Sequence, residues 1–214
     1  MNMAIVIPAQ ETNKYHKLGD LAPFGDTSLL EWKISQCKEN FDGSNIYISS
    51  DSELIKNIAF KEGVNFIERD KDQSYIDSLM STVYQVEEDA VVWINVTSPF
   101  LTGAHYKKMY EQFVDTKSSI VSVSEKREYV FYKDEKLNFS NEFVSRSKIE
   151  PIYIMTNGCY ITSKSEILKN KSLVGNSPSF YLLDTFASTE IKDIEDYSIA
   201  RDMISIFFKR EING

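Results

Sequence analysis

The run Asn95-Val96-Thr97-Ser98-Pro99-Phe100-Leu101-Thr102-Gly103-Ala104-His105 follows the apolar stretch Ala90-Val91-Val92-Trp93-Ile94 without a break. The order reads as a buried strand emptying into a Ser/Thr/Pro turn and then a helix. Open α/β sheets hold their ligands at such places, where the carboxyl ends of strands meet the amino ends of helices. Thr97 and Ser98 have two compatible readings, as ligand contacts or as hydroxyls that cap free helix amides. His105 falls in the first turn of the helix, where a surface or capping role outweighs that of a catalytic base.

A second stretch with chemical potential is the aperiodic segment Gln10 to Ser28, which separates the apolar Ala4-Ile5-Val6-Ile7 from helical spacing at Leu29. Long loops in compact domains are usually functional or disordered. Gln10, Lys14 and Lys17 can bind an anion there, the alternative being solvated loop lysines. No Ser-His-Asp or Cys-His arrangement for nucleophilic catalysis is evident. Asp70-Lys71-Asp72 spells the acidic metal triplet of GT-A glycosyltransferases, but the charge-rich stretch Glu68 to Asp72 reads as a solvated loop.

The elements that must position these residues alternate. Strands are expected at Ala4 to Ile7, Asn45 to Ser49, Asn65 to Ile67, Ala90 to Ile94 and Ser119 to Val123. Between them, Leu30, Ile34 and Cys37, then Ile76, Leu79, Met80 and Val83, then Tyr106, Met109, Tyr110 and Phe113 each fall on one helix face. Ser50 and Glu53 have the spacing of a capping box, with Asp51 in the first helical turn. Alternation of this kind predicts an α/β fold, helices on both faces of a mainly parallel Rossmann-like sheet. From Lys126 to Glu150, charged residues mix with Tyr129, Phe131, Tyr132, Phe139 and Phe143, predicting a hairpin excursion. Strand character returns at Ile152 to Met155 and Cys159 to Ile161, and a last helix carries Ile199, Met203 and Ile206 on one face. Asp193 has the place of that helix's N-cap, with Asp196 three positions on.

A chain of 214 residues with 42% apolar content fits one domain, residues 1–214, with 126–150 as an excursion from it. A net charge of −8 and the lack of a basic cluster argue against nucleic-acid or anionic-membrane partners. Met1-Asn2-Met3 has no basic leader character and the apolar run after it is short, so a cytoplasmic protein is expected. Cys37 and Cys159 make neither a disulfide framework nor a metal motif.

The central turn resembles the Gln-Pro-Thr-Ser-Pro-Leu-Arg-Thr turn of the acylneuraminate cytidylyltransferases, relatives of the CMP-Kdo synthetases that activate acidic sugars as CMP conjugates. Ile7, Pro8, Ala9 and Lys14 match that family's Ile-Pro-Ala-Arg-Gly-Gly-Ser-Lys phosphate loop, while Gln10, Glu11 and Thr12 depart from it. Asn95 takes the place of the glutamine that reaches the sugar, and Leu101 the place of an arginine. Asn157-Gly158-Cys159-Tyr160-Ile161 resembles the strand that lines the acceptor, and Asp51, Ser74 and Asp77 match shorter family positions. Where the family has Asp-Ile-Asp holding magnesium, this chain has Glu190-Ile191-Lys192.

The resemblance implies a CTP-dependent enzyme with Mg2+, a small acidic acceptor and a homodimeric assembly built on the hairpin. It implies Lys14, Lys17 and Lys192 as catalytic cations, and Pro8, Ala9, Gln10, Asp51 and Ser74 as nucleotide contacts. Asn95, Thr97, Ser98, Asn157 and Gly158 become acceptor contacts, and Glu190 and Asp193 metal ligands. Three accounts of Lys192 stay open: it replaces one cation's charge, Asp193 supplies the carboxylate after a one-residue shift, or activity is lost. A non-catalytic nucleotide-binding relative is the alternative that the altered loop and Lys192 suggest.

Overall fold

The computed structural model describes residues 2–142 and 144–213, so Phe143 lies outside the described residues. The strands of the central sheet are β1 Met3–Pro8, β2 Ile46–Ser50, β3 Asn65–Glu68, β4 Ala90–Ile94, β5 Ile120–Lys126, β6 Ile152–Ser163 and β7 Ser179–Leu183. The helices are α1 Leu29–Lys38, α2 Glu53–Lys61, α3 Tyr75–Gln85, α4 Gly103–Thr116, α5 Lys164–Asn170 and α6 Ile194–Asn213. The seven strands lie in the order β7-β5-β6-β4-β1-β2-β3. All pairings are parallel except those of β6, which runs antiparallel to β4 and β5.

Alternate side chains of each central strand enter different layers, because Cβ atoms point to opposite faces along a strand. Ile5 and Ile7 pack with Leu30 and Ile34 of α1, Tyr106 and Met109 of α4, and Tyr197 and Ala200 of α6. Ala4 and Val6 face the other way, onto Leu79 and Val83 of α3 and Ile167 of α5. The expected three layers are therefore present. No helix among the described residues is long and apolar enough to cross a membrane.

Several local expectations change. The start of α2 is capped by Ser52, whose hydroxyl accepts from the Ile55 amide at 3.3 Å; Ser50 instead accepts from the Ser52 amide, so Ser50 and Glu53 form no capping box. The buried stripe of α6 is Tyr197, Ala200 and Ile204, whereas Ile199 and Ile206 are about half exposed. The two short strands expected after the hairpin are one, β6, with its register broken between Met155 and Tyr160. The hairpin itself forms: Phe131–Tyr132 pairs with Glu135–Lys136. Lys133 and Asp134 between them have φ of 49° and 66°, the left-handed pair that a two-residue hairpin turn requires.

The long loop after β1 is ordered by one buried carboxylate. Asp20 is 4% exposed; its Oδ2 accepts from the Gln10 amide at 2.7 Å and its Oδ1 accepts from the buried Tyr15 hydroxyl. The Asp20 amide returns a bond to the Gln10 carbonyl at 2.9 Å, closing the loop on itself. Gly19 makes this possible: its φ is +49°, and a Cβ there would stand 2.4 Å from the Gln10 carbonyl oxygen. Tyr197 of α6 seals the outside, with its hydroxyl donating to the Pro23 carbonyl at 2.6 Å and its ring 5.1 Å from that of His16.

Burial pushes the Asp20 carboxyl up to about 6. The folded chain then holds a proton between about pH 4 and pH 6 that the unfolded chain releases, so stability falls as pH rises through that window. Asp20→Asn keeps an acceptor for Gln10 and removes the charge. Urea unfolding across this window should show a flatter pH dependence for the variant, by up to about 3 kcal/mol in total. An unchanged slope would contradict the assignment.

Candidate active site

The chain leaves β1 toward β2 and β3, then returns to place β4 on the other side of β1. Loops at the carboxyl ends of β1 and β4 therefore diverge and open a crevice, the usual ligand position of such sheets. On the β1 side lies a cleft of about 480 Å³. Gln10, Glu11 and Thr12 line it after β1, Asp51 and Ser52 after β2, Arg69, Asp70 and Lys71 after β3, and Gln73, Tyr75 and Ser78 around the start of α3.

Arg69 is the cation that sequence reasoning missed. Its guanidinium donates to the Ala9 carbonyl at 2.7 Å, beneath the loop that follows β1, with Asp51 and Asp20 as opposing charges. The signal was its position, the residue immediately after a parallel strand, in a stretch read as solvated. Glu68, Asp70, Lys71 and Asp72 are indeed exposed, but Arg69, Asp70 and Lys71 also form a wall of the cleft. The Asp70 carboxylate accepts from the Asp72 amide at 3.1 Å, an ordinary local turn bond.

The other residues expected on this side divide. Gln10 and Asp51 line the cleft, with Pro8 at the end of β1 and buried Ala9 continuing the ladder to the Ser49 carbonyl at 2.9 Å. Lys14 and Lys17 stand exposed on the loop, away from the lining residues. Ser74 caps α3, its hydroxyl accepting from the Asp77 amide at 3.2 Å and donating to the Asp77 carboxylate at 2.6 Å. Glu11 points into the cleft's edge, accepting a 2.6 Å bond from the Ser52 hydroxyl.

On the β4 side, the expected acceptor residues are brought together. The Asn95 side-chain amide donates to Asn157 at its carbonyl (2.7 Å) and at Oδ1 (3.0 Å), and the Tyr160 hydroxyl donates to the same Oδ1 at 2.7 Å. The register break in β6 presents Asn157 outward while Gly158 stays buried. Gly158 must lack a side chain: a Cβ would lie 2.9 Å from Leu101 and 3.2 Å from the Ser98 hydroxyl. The Asn95 Oδ1 and the Asn157 Nδ2, one acceptor and one donor, take no part in this network.

Thr97 and Ser98 do not cap α4; the turn is longer, and its cap is Thr102, whose amide and hydroxyl both meet the His105 Nδ1 at 3.2 and 2.9 Å. His105 is thereby a capping residue, as expected, and burial holds it below the usual histidine range. The Thr97 carbonyl instead accepts from the Ile191 amide at 2.8 Å, which stitches the Glu190-Ile191-Lys192 segment to the turn. Leu101, in the place of an arginine, is fully buried. Both thiols are buried and free, and burial pushes Cys37 up to about 12 and Cys159 higher, which makes them inert.

Among the described residues no three acidic, histidine or cysteine side chains converge as a metal cage. Mg2+ does not require one, since it is commonly held by one or two carboxylates, water and substrate phosphates. Glu190 fits that demand: its side chain is 16% exposed and faces the Lys192 ammonium at 3.7 Å. Asp193 fits less well, because its Oδ1 already accepts from the Glu195 and Asp196 amides at 3.0 Å as the cap of α6.

The chain is 23% identical over 218 residues to the post-translational flagellin modification protein B of Campylobacter coli, covering 92% of this chain and 93% of that one. It is 24% identical over 173 residues to an N-acylneuraminate cytidylyltransferase of Streptococcus agalactiae serotype III, covering 73% of this chain but 42% of that longer protein. Its fold is similar to that of a solved CMP:2-keto-3-deoxy-manno-octonic acid synthetase complexed with CTP, with a TM-score of 0.71 at 12% identity over 96% of this chain and 99% of that one. The MobA-like NTP transferase domain model matches residues 20–168, most of the sheet together with Arg69, the central turn and Asn157, and the chain belongs to that family.

Proposed function

We propose that this chain is a cytidylyltransferase that moves CMP from CTP to a small acidic sugar of the nonulosonic or Kdo type, releasing pyrophosphate. The observation that carries the reading is the division of the crevice. A charged cleft roofed by the loop after β1 faces an amide-lined platform, Asn95-Asn157-Tyr160, across the end of the sheet. The relatives named above as cytidylyltransferases, and the solved synthetase with CTP, support this choice of nucleotide.

In the reaction an acceptor hydroxyl oxygen bonds to the α-phosphorus of CTP while the bond to the bridging oxygen of the β-phosphate breaks. Pyrophosphate takes the electron pair and the hydroxyl proton passes to solvent. Such in-line displacement needs alignment and charge neutralisation more than a side-chain nucleophile. Arg69 and Lys71 are placed to meet the triphosphate in the cleft, with Gln10 and Asp51 beside them. Lys14 and Lys17, exposed on the same loop as Gln10, add positive charge near it. Asn95, Thr97, Ser98, Asn157 and Gly158 shape the acceptor pocket. Glu190 would hold Mg2+, which would supply charge neutralisation at the phosphates. Lys192 adds a positive charge beside Glu190 in place of the second carboxylate. The Glu11 carboxylate in the cleft favours a second reading, a nucleotide-binding relative without turnover, because it adds like charge near a polyphosphate.

Pyrophosphate release separates the two. Mixed with CTP, Mg2+ and a panel of nonulosonic acids, Kdo and small phosphonates, the protein should release pyrophosphate with at least one acceptor and only in its presence. Silence across the panel with CTP still bound would establish the second reading instead.

The assembly proposed is a homodimer joined through the 126–150 excursion. Phe131, Tyr132 and Leu137 there are 61%, 60% and 56% exposed, beside the half-exposed Tyr153 and Ile154 of β6. Apolar area gathered in this way marks an interaction surface. Sedimentation should give twice the chain mass, and Phe131→Ser with Tyr132→Ser should shift it toward monomer; a monomeric parent chain would refute the assembly.

A further inference from the structure

Lys33 lies on the core face of α1 among Leu29, Leu30, Ile34 and Cys37, and like them it is 0% exposed. A buried ammonium is tolerated only where its charge or its hydrogen bonds are compensated. Here the compensation comes from neutral groups. Lys33 Nζ donates to Ser98 O at 2.7 Å, Leu101 O at 3.1 Å and Gln36 Oε1 at 2.7 Å, with the Tyr106 hydroxyl at 2.8 Å as its fourth neighbour. The neighbouring side chains complete the pattern: Trp32 Nε1 and Gln36 Nε2 both donate to Pro99 O, at 2.7 and 2.9 Å. One helix thus supplies donors to the carbonyls of Ser98, Pro99 and Leu101, which have left the β4 ladder and have no strand to pair with.

The opposite side of that turn is the acceptor platform. Thr97 O holds the Ile191 amide at 2.8 Å, next to Glu190 and Lys192, and the Asn95 amide donates to Gly158 O at 3.1 Å. Moving the turn therefore moves Asn95, Thr97 and the segment carrying Glu190 together. None of the β1-side cleft residues shares these bonds.

We propose that Lys33 is a positioning residue for the acceptor half of the site: its ammonium clasps the Ser98–Leu101 turn and so sets where Asn95, Thr97 and Glu190 stand, without touching either substrate. The role rests on the cytidylyltransferase reading for its functional consequence, but not for its structural one. Protonated, Lys33 has three N–H groups for its three carbonyl acceptors; neutral, it has two, and one turn or Gln36 oxygen loses its donor. Burial pulls Lys33 down to about 7, opposed by Cys37 of α1, Cys159 of β6 and Glu39 just beyond α1, while His105 of α4 and the hydrogen-bonded Tyr106 hydroxyl also face it. The clasp therefore loosens as pH rises through neutrality.

Amide hydrogen exchange on the whole chain, read residue by residue, tests this in the wild type. Between about pH 6 and pH 8, protection of the Leu101 and Ile191 amides should fall by roughly tenfold after correction for intrinsic exchange, while Ile7 and Ile48 keep theirs. Protection that follows intrinsic exchange alone at all four amides overturns the clasp. Lys33→Met should reproduce the loss at Leu101 and Ile191 at low pH. In the pyrophosphate assay it should raise KM for the turned-over acceptor by about tenfold or more and leave CTP affinity within about twofold. Equal losses for acceptor and CTP overturn the positioning role. If the wild-type chain turns over no acceptor, the functional reading fails, while the exchange profile still decides the clasp. If Lys33→Met does not fold, the wild-type pH profile decides alone.

Discussion

Peptide groups that leave a sheet lose their ladder partners, and at the point where the strand order reverses they do so next to the core. Every such buried group must find another partner or cost the fold about 1–3 kcal/mol. This chain solves the problem with charged side chains of complementary sign, two of them, Asp20 and Lys33, fully or almost fully buried. After β1 the orphan amide of Gln10 is met by the Asp20 carboxylate and the orphan carbonyl of Ala9 by Arg69. After β4 the carbonyls of Ser98 and Leu101 are met by Lys33, and that of Pro99 by Trp32 and Gln36. The crevice stays open because its two rims are held from below.

This arrangement also separates the two halves of the site. The β1 rim is tied to α6 through Tyr197 and to β3 through Arg69, whereas the β4 rim is tied to α1 and to the Ile191 segment. A glycine-rich loop would present bare amides to a phosphate. Here the Gln10 amide is already occupied by Asp20, so in the proposed reading the positive side chains after β3 carry the larger share of anion binding. The chain thus keeps the amide-lined platform that its family resemblance implies, while the side proposed to meet the triphosphate is built differently.

Much of the fold was legible in the sequence. The runs at 4–7, 90–94 and 119–123 were strong because these strands are buried on both faces, and the faces Leu30-Ile34-Cys37 and Tyr106-Met109-Phe113 because each is committed to one core layer. β7 escaped notice because it is an edge strand with Phe180 and Leu182 about half exposed. The stripe of α6 was misread because two isoleucines point outward, while a tyrosine and an alanine do the packing. In the site, Asn95 and Asn157 were found through the family resemblance of the turn and strand that carry them. Lys33 and Arg69 were not, since a lysine amid apolar helix residues and an arginine in a charged loop become informative only through partners 60 to 73 residues away. Burial of a charge is a tertiary fact, and sequence periodicity does not carry it.

The central claim is that CTP occupies the cleft beside Arg69 on the β1 side of the reversal. Calorimetry of CTP with Mg2+ against the parent chain and Arg69→Ala measures it most directly. Loss of a charge-assisted contact of this kind is worth about 1.5–3 kcal/mol, so the variant should bind CTP roughly ten- to a hundredfold more weakly. The variant also leaves the Ala9 carbonyl without its donor, so its denaturation midpoint should fall too, and the affinities are compared where both proteins are fully folded. Equal CTP affinity in the two proteins would place the nucleotide elsewhere and contradict the account.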